Sequence, residues 1–120
     1  MLKKHNALLD AVIAGIQEKK GQNITILDMS EIESSICDYF VVCEGTSTTQ
    51  VDSIADSVVD VVRERAGEKP LHDEGRENSL WILIDYSDIV VHVFQKEVRE
   101  FYALESLWSD AKRTDLENEI

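Results

Sequence analysis

The stretch from Trp81 to Phe94, WILIDYSDIVVHVF, places two carboxylates, a phenol and an imidazole inside an otherwise apolar run. Asp85 and Asp88 are three residues apart and could share a divalent cation with an acid of the preceding segment HDEG. Aspartate is also a favoured turn residue, because its carboxylate accepts hydrogen bonds from nearby backbone amides. Without a third acid at a fixed spacing, the pattern favours turn chemistry or contact with a partner over a metal site.

His92 is the candidate general base of this stretch, and it shares strand parity with Val90 and Phe94. A catalytic histidine would need a nucleophile to activate, and no serine or cysteine stands at a recognisable spacing from it. Zinc is also disfavoured, since three scattered histidines, His72 among them, and two separated cysteines supply too few ligands. We therefore predict that His92 is a hydrogen-bonded residue of the core or its rim, and that the chain has no catalytic residue and no metal ligand.

A second candidate is the segment Gly45–Gln50, GTSTTQ, which follows a predicted strand and opens a predicted helix. Free backbone amides at such a helix start could hold an anion. A phosphate-binding loop would need more glycines and usually a lysine, and both are missing. Capping of the helix by Ser47 or Thr48, with Ser47 and Gln50 in the form of a capping box, explains the hydroxyl groups. No cofactor is predicted.

Aromatic residues accompany the acids, namely Trp81, Tyr86, Tyr102 and Trp108. Aromatic side chains surrounded by acids are typical hot spots for a basic protein partner. Trp108 lies on the inward stripe of a predicted helix, which favours a core position. For Tyr86 at the predicted turn, contact with a partner is at least as well supported as burial.

The chain has 24 acidic and 12 basic residues among its 120, for a formal net charge of -12 at pH 7. Such a field repels phosphate backbones and anionic membranes and attracts basic partners. We therefore expect little direct nucleic-acid contact, no membrane contact and a basic protein as partner.

The sequence predicts a cytoplasmic location. No apolar run approaches the roughly 20 residues that a membrane helix requires, and the first residues lack the pattern of a secretory signal or transit peptide. Cys37 and Cys43 lie too far apart on one predicted strand to bond to each other, and we expect both to be buried small hydrophobes in a reducing compartment.

Hydrophobic periodicity predicts the elements that position these residues. The expected order is a helix through Leu9–Ile16, a strand at 23–29, a polar reversal at 30–35, a strand at 38–45, a helix within 46–67, a short edge strand at Lys69–Leu71, a hairpin of 80–85 with 89–94, and a helix at 96–108. Strands that are apolar on both parities need cover on both faces. The expected fold is therefore α/β, a mixed β-sheet with helices. It forms a single domain at 1–108, followed by a frayed acidic tail at 109–120.

The order of motifs after Trp81 carries a resemblance to a known family. Trp81 is followed by Asp85-Tyr86-Ser87-Asp88, by Val91-His92-Val93-Phe94, and by Arg99, Tyr102, Leu104, Glu105, Leu107 and Trp108. This order resembles the signature of the ribosomal silencing factor family, also called Iojap or RsfS. The segment CDYFVVCEGTSTTQVDSIAD is similar to the family's upstream block, and Glu74-Gly75 to its loop before the tryptophan. The likeness covers about Leu9 to Trp108, with Ser87 in place of a usual glycine and NSLW in place of the commoner Ala-Asp-Trp.

The resemblance implies a nucleotidyltransferase-like α/β fold that lacks the catalytic acids, and a role that is not enzymatic. Family members bind the large ribosomal subunit through ribosomal protein L fourteen, so that the small subunit cannot join and translation falls when nutrients are short. The resemblance therefore implies a translational repressor. The expected contact residues are Trp81, Asp85, Tyr86 and Asp88, with His92, Arg99 and Tyr102 supporting or flanking them.

Two other hypotheses come from the same residues. A small nucleotide-using transferase is suggested by the implied fold and by the GTSTT helix start, but working transferases carry a pair of metal-binding acids on a following strand. Here the region after the helix offers only HDEG in a predicted loop. A homodimer through the short strand or a sheet edge is compatible with ribosome binding.

Overall fold

The computed structural model describes residues 2–32 and 37–118 of the chain, and the side chains from residue 7 onward within these ranges. Its elements are α1 (Leu2–Glu18), β1 (Gln22–Asp28), β2 (Tyr39–Gly45), α2 (Thr48–Ala66), β3 (His72–Glu74), β4 (Trp81–Asp85), β5 (Ile89–Gln95), α3 (Lys96–Tyr102), α4 (Leu104–Leu107) and β6 (Lys112–Asp115). The strands form a mixed sheet in the order β3-β4-β5-β2-β1-β6. The predicted α/β class is confirmed. The predicted reversal at 30–35 lies partly outside the described residues.

The centre of the sheet is the parallel pair of β2 and β5, and each other pair of neighbours is antiparallel. β4 and β5 form the predicted hairpin, with Trp81 opposite Phe94 and Asp85 opposite Val90. β5 is buried from Ile89 to Phe94, as its apolar residues on both parities require. The polar side chains of the stretch from Trp81 to Phe94 are therefore held by two paired strands and their turn.

Helices α1 and α2 cover one face of the sheet and approach each other closely at Gly15. A Cβ atom on Gly15 would lie 2.7 Å from the Cα of Val58, so a larger residue would push the helices apart. The hydroxyl of Ser57 donates to the Gly15 carbonyl over 2.7 Å within this buried contact. Ile82 and Ile84 of β4 pack in the same core. This helix-covered face is the main hydrophobic core.

The C-terminal elements cover the opposite face of the sheet. Leu104 of α4 packs against Val42 and Phe94, and Trp81 and Val98 border this cluster. Trp108 is half-buried and meets the ring of Phe40 edge-on, with ring centroids 5.9 Å apart. The partial burial of Trp108 agrees with the core position expected for it.

The start of α2 confirms the capping interpretation of GTSTTQ. The hydroxyl of Ser47 accepts a hydrogen bond from the backbone amide of Gln50 over 3.1 Å. The side-chain carbonyl of Gln50 accepts from the amide of Thr46 over 2.8 Å, one residue earlier than a capping box would place it. Gly67 ends the helix in the left-handed conformation, φ 68°. The hydroxyls of Thr46 and Ser47 are thus used by the helix start itself.

The predicted third helix is broken into two. α3 ends at Tyr102, Ala103 takes a left-handed conformation with φ 48°, and α4 begins at Leu104. The break turns Leu104 onto the cluster of Val42 and Phe94. A continuous helix at 96–108 is therefore wrong, because packing of Leu104 on the sheet overrides the helix preference of alanine.

Two further differences concern sheet edges. The short edge strand is β3, a few residues later than the predicted Lys69–Leu71. Part of the tail expected to fray at 109–120 forms β6, antiparallel to β1. The residues of β6 are exposed, and the hydroxyl of Thr25 donates to the carboxylate of Asp115 over 2.7 Å. Polar contacts and the backbone ladder therefore hold the strand, together with the packing of Leu116 just after it on the core.

Both cysteines are buried, as expected. Burial raises the pKa of the Cys43 thiol to about 12, so it is protonated and unreactive at neutral pH. Across the described ranges, the helices are all too short or too polar to cross a membrane.

Candidate functional site

Trp81, the first residue of β4, joins the aromatic side chains of the C-terminal face. Its indole Nε1 donates a hydrogen bond to Nδ1 of His92 over 3.1 Å. Its ring stacks on Phe94, with centroids 4.8 Å apart, and lies 4.7 Å from the ring of Tyr102. The structure thus brings Trp81, His92 and Tyr102, three of the residues selected from the sequence, into one cluster.

His92 is a buried, uncharged member of this cluster. It is 4% exposed, and burial lowers its pKa to about 4, against a weaker opposing effect of Glu105. Because Nδ1 accepts the indole hydrogen bond, the neutral ring carries its proton on Nε2, which has no hydrogen-bond partner in the described part of the chain. The expectation of a hydrogen-bonded core histidine is confirmed.

Arg99 fixes α3 to the sheet through a buried network. Its guanidinium donates to the Glu105 carboxylate over 2.7 and 3.0 Å and to the Glu44 carboxylate over 3.2 Å. It also donates to the hydroxyl of Thr25 over 2.9 Å and to the backbone carbonyl of Asn23. Arg99 is 7% exposed, so it positions α3 from inside the protein and offers almost no surface to a partner.

A groove of about 440 Å³ lies between the start of β4 and α3. Its lining includes Leu80, Trp81, Glu97, Val98, Phe101 and Tyr102. Phe101 is 81% exposed and Tyr102 49% exposed. The groove therefore combines an aromatic wall that the core holds in place with apolar side chains open to solvent.

Asp85 and Asp88 lie at the other end of the hairpin and perform turn chemistry. The carboxylate of Asp85 accepts from the amide of Ser87 over 2.7 Å. Ser87 has φ 74°, and the amide of Asp88 donates to the carbonyl of Tyr86 over 2.9 Å, which closes a three-residue γ-turn. The four-residue step from Trp81 to Asp85 spans roughly 13 Å along the strand. The predicted contact residues thus form two groups, one at the groove, where β4 begins, and one at the turn, where β4 ends.

Tyr86 lies in the core, 4% exposed and among residues of the helix-covered face. Burial raises the pKa of its phenol, and Asp73 and Glu68 act in the same direction. The sequence analysis left burial and contact with a partner open for Tyr86, and the structure places its ring in the core. Alternation along β4 explains it, because Tyr86 continues the parity of Ile82 and Ile84, which also face the helices.

The sequence analysis missed an ion cluster centred on Arg76 in the loop before β4. Its guanidinium pairs with Asp73 at 2.9 Å and with Asp52 and Asp56 of α2 at 2.9 and 2.6 Å. These hydrogen bonds raise the pKa of Arg76, so it stays charged. The spacing of Asp52 and Asp56 by one helical turn was the available signal. Asp73 is thereby engaged, and within the described ranges no three His, Cys, Asp or Glu side chains are grouped to hold a metal.

The neighbouring residue Gly75 allows the loop before β4 to come very close to the first residue of that strand. Gly75 has φ 98°, and a Cβ atom there would lie 2.1 Å from the carbonyl oxygen of Trp81. Only glycine fits such a contact without displacing the strand. Glu74-Gly75, one of the segments of the resemblance, therefore places the first residue of β4, which is the wall of the groove.

Comparison with known proteins agrees with this arrangement. The family model described as "Ribosomal silencing factor during starvation", RsfS, matches residues 2–120. A relative from Halalkalibacterium halodurans named "Ribosomal silencing factor RsfS" is 42% identical over 114 residues, covering 94% of this chain and 95% of the relative. A mouse protein named "Mitochondrial assembly of ribosomal large subunit protein 1" is 26% identical over 84% of this chain and 45% of its own length.

A solved structure has the same fold. The crystal structure of a protein from Chromobacterium violaceum superposes with a TM-score of 0.80 at 35% sequence identity, over 85% of this chain and 83% of that one. Sequence and structure therefore agree over most of the domain, and the chain belongs to the ribosomal silencing factor family, RsfS.

Proposed function

We propose that this protein is a ribosomal silencing factor that acts in the cytoplasm. It binds the large ribosomal subunit through ribosomal protein L fourteen and blocks joining of the small subunit, which represses translation under nutrient limitation. The observation that carries the proposal is the match of the family model to residues 2–120. The name of the mouse relative, which refers to the ribosomal large subunit, supports that subunit as the target.

Charge supports a protein contact over an RNA contact. The net charge of -12 repels the phosphates of ribosomal RNA and attracts a basic ribosomal protein. Acidic side chains at the turn, Asp85 and Asp88, are half-buried. Asp85 lies opposite His72 of the edge strand β3, and the carbonyl of Asp88 accepts from the amide of Tyr39 at the start of β2. We propose that this turn supplies the charged part of the contact and that Trp81 and Tyr102 supply the aromatic part.

The other predicted contact residues are buried and support the surface from inside. Arg99 and His92 are buried and hold α3 and Trp81 in place. Tyr86 is likewise buried and anchors the end of β4 in the core. We propose that these three residues act on the partner through the shape of the surface, without direct contact.

An enzymatic role has less support. The neutral, buried His92 is hydrogen-bonded to an indole and does not face a nucleophile in the described residues. Asp73, one of the acids that the transferase hypothesis would need, is paired with Arg76. The likeness of the fold to nucleotidyltransferases stays a prediction, and titration of the protein with magnesium and a nucleotide tests the enzymatic alternative.

Sedimentation with isolated large subunits tests the proposed function. The wild-type protein is expected to co-sediment with large subunits and to reduce formation of joined ribosomes when small subunits are added. Asp85→Asn removes the negative charge and keeps an oxygen for the Ser87 amide, so weaker binding by this variant would implicate charge and not turn geometry. A wild-type protein that stays in the supernatant and leaves joining unchanged would refute the proposal.

A homodimer through an outer strand of the sheet stays a prediction. The outer strands of the described sheet are β3 and β6. Sedimentation equilibrium over a range of protein concentrations distinguishes a monomer from a dimer.

A further inference from the structure

We infer that the groove between the start of β4 and α3 is an anchor pocket for one large apolar side chain of a basic protein segment on the large ribosomal subunit. This inference rests on the proposed function and deepens it. It names the part of the surface that binds the partner and the kind of side chain that is bound there. It concerns the groove end of the site, which is separate from the acidic turn.

Exposed apolar surface is concentrated at this groove. Large hydrophobic side chains that are exposed in the described part of the chain are Leu71, Leu80, Phe101, Tyr102 and Leu107, and three of these five line the groove. Contiguous exposed apolar surface on a small domain typically marks an interaction site. Aromatic residues are also the side chains that most often dominate binding at an interface. The groove is therefore the best-formed apolar contact surface on this face.

The walls of the groove are fixed before any partner binds. Trp81 is stacked on the fully buried Phe94 and hydrogen-bonded to His92. The opposite wall, α3, is tied to two strands by the buried guanidinium of Arg99. A preorganised pocket avoids the entropic cost of ordering its own side chains on binding. Its volume of about 440 Å³ is at the low end for small-ligand sites, about 300–1,000 Å³, which suits one large side chain.

The charge around the groove selects a basic protein segment as occupant. Glu97 is the charged residue of the lining, and Glu100 is exposed on the next turn of the same helix. Together with the net charge of -12, these carboxylates favour lysine or arginine residues flanking the inserted side chain. The same charges repel phosphates, so a nucleotide of ribosomal RNA is disfavoured although its base could stack on an aromatic wall.

Matched substitutions separate the groove from general surface effects. Phe101→Ala removes the most exposed of the large hydrophobic residues in the groove, and Leu107→Ala removes a side chain of similar exposure, 70%, outside the groove. Glu97→Lys reverses the charge of the lining, and Glu64→Lys makes the same change on α2, which packs on the other face of the sheet. All four positions are exposed, so the variants are expected to keep the wild-type thermal melting midpoint.

Affinity for isolated large subunits is measured by co-sedimentation at a range of subunit concentrations. Phe101→Ala and Glu97→Lys should each weaken binding by about tenfold or more, as expected for a side chain that lines a central pocket and its charged neighbour. Leu107→Ala and Glu64→Lys should bind as the wild type does. Wild-type affinity in both groove variants would overturn the inference and leave the proposed function standing. Failure of the wild-type protein to bind would overturn both.

Crosslinking identifies the class of occupant. Replacing Phe101 by the photoreactive residue p-benzoylphenylalanine places the reactive group at the mouth of the groove, and irradiation of the complex should yield an adduct with a basic ribosomal protein. An adduct with ribosomal RNA would overturn the inferred occupant. An adduct with a second copy of this chain would assign the groove to self-association and overturn the inference in the same way.

Discussion

The indole Nε1 of Trp81 donates a hydrogen bond to Nδ1 of His92, 3.1 Å away on the neighbouring strand. The bond joins the wall of the groove to a buried polar side chain of the C-terminal face, 4% exposed, and it uses the one lone pair that a neutral imidazole offers. The same bond fixes the orientation of both rings. Its loss should therefore affect the stability of the fold and the shape of the groove together.

Trp81→Phe removes the donor and leaves Nδ1 of His92 buried without a partner. We expect the free energy of unfolding to fall by about 1–3 kcal/mol, measured by urea denaturation followed by circular dichroism. In a His92→Phe background the acceptor is already gone, so the same tryptophan substitution should cost about 1 kcal/mol less. An identical cost in both backgrounds would show that the tryptophan contributes through packing alone.

The depressed pKa of His92 should make stability depend on pH. The folded-state pKa of His92 is about 4, below its ordinary value of 6.5, so between these values the unfolded chain binds a proton that the folded protein excludes. Stability is therefore complete above about pH 6.5 and declines as the pH falls, by about 1.5 kcal/mol on reaching pH 5. Urea denaturation at a series of pH values measures this slope.

The control for this pH series is His92→Phe, which removes the titrating group. Above pH 5 the lowered pKa values of Asp28 and Asp115 have little effect, because these carboxyl groups are ionised in both states. The control should therefore show a flatter profile than the wild type between pH 6.5 and pH 5. Parallel profiles would mean that His92 is not the group responsible.

Ser87→Gly should stabilise the hairpin. Ser87 is held at φ 74° in the turn, a conformation that costs a residue with a Cβ atom about 1–2 kcal/mol. Glycine removes this strain but loses about 0.5–1 kcal/mol through the greater entropy of the unfolded chain. A net gain of about 0.5–1 kcal/mol is expected, visible as a higher melting temperature. Ser87→Ala keeps the Cβ atom and should give no gain, and a gain of equal size would point to the hydroxyl instead.

Residue patterns predicted the parts of the fold that depend on apolar periodicity and missed those that depend on polar or distant contacts. Apolar runs located β4 and β5. The alternation along β4 also indicates the buried position of Tyr86, on the parity of Ile82 and Ile84. β6 gave no such signal, because it is held by the backbone ladder and by contacts such as that of Thr25 with Asp115.

The candidate site was predictable in part of its membership and not in its geometry, since Glu97 and Phe101 of the groove were not selected from the sequence. The family pattern selected Trp81, His92 and Tyr102, which the structure brings together. The end of α3, the helix that forms one wall of the groove, was also not predicted, because the chain breaks at Ala103. Alanine has the highest helix propensity, so local sequence argued against a break there. The break is favoured by packing of Leu104 on the sheet, where it meets Val42, a residue far away in the sequence.

Arg99→Met should be the most destabilising of these changes. It removes the guanidinium while keeping much of the aliphatic length of the side chain, and it leaves the carboxylates of Glu44 and Glu105 without the cation that they share. These carboxylates are nearly buried, with side chains 10% and 13% exposed. Breaking a buried ion pair by removing one partner costs about 3–5 kcal/mol, which urea denaturation should detect as a large fall in the unfolding midpoint.

Neutralising the two carboxylates that Arg99→Met leaves unpaired shows whether the lost stability is electrostatic or comes from packing. In the triple variant Arg99→Met with Glu44→Gln and Glu105→Gln, the buried charges are gone, so much of the lost stability should return. In this variant the packing of Leu104, just after α3, against Val42 and Phe94 should keep the helix on the sheet. A triple variant as unstable as Arg99→Met would show that the fixed geometry of the guanidinium, which donates to Glu105, Glu44, Thr25 and the Asn23 carbonyl, is what holds α3 to the sheet.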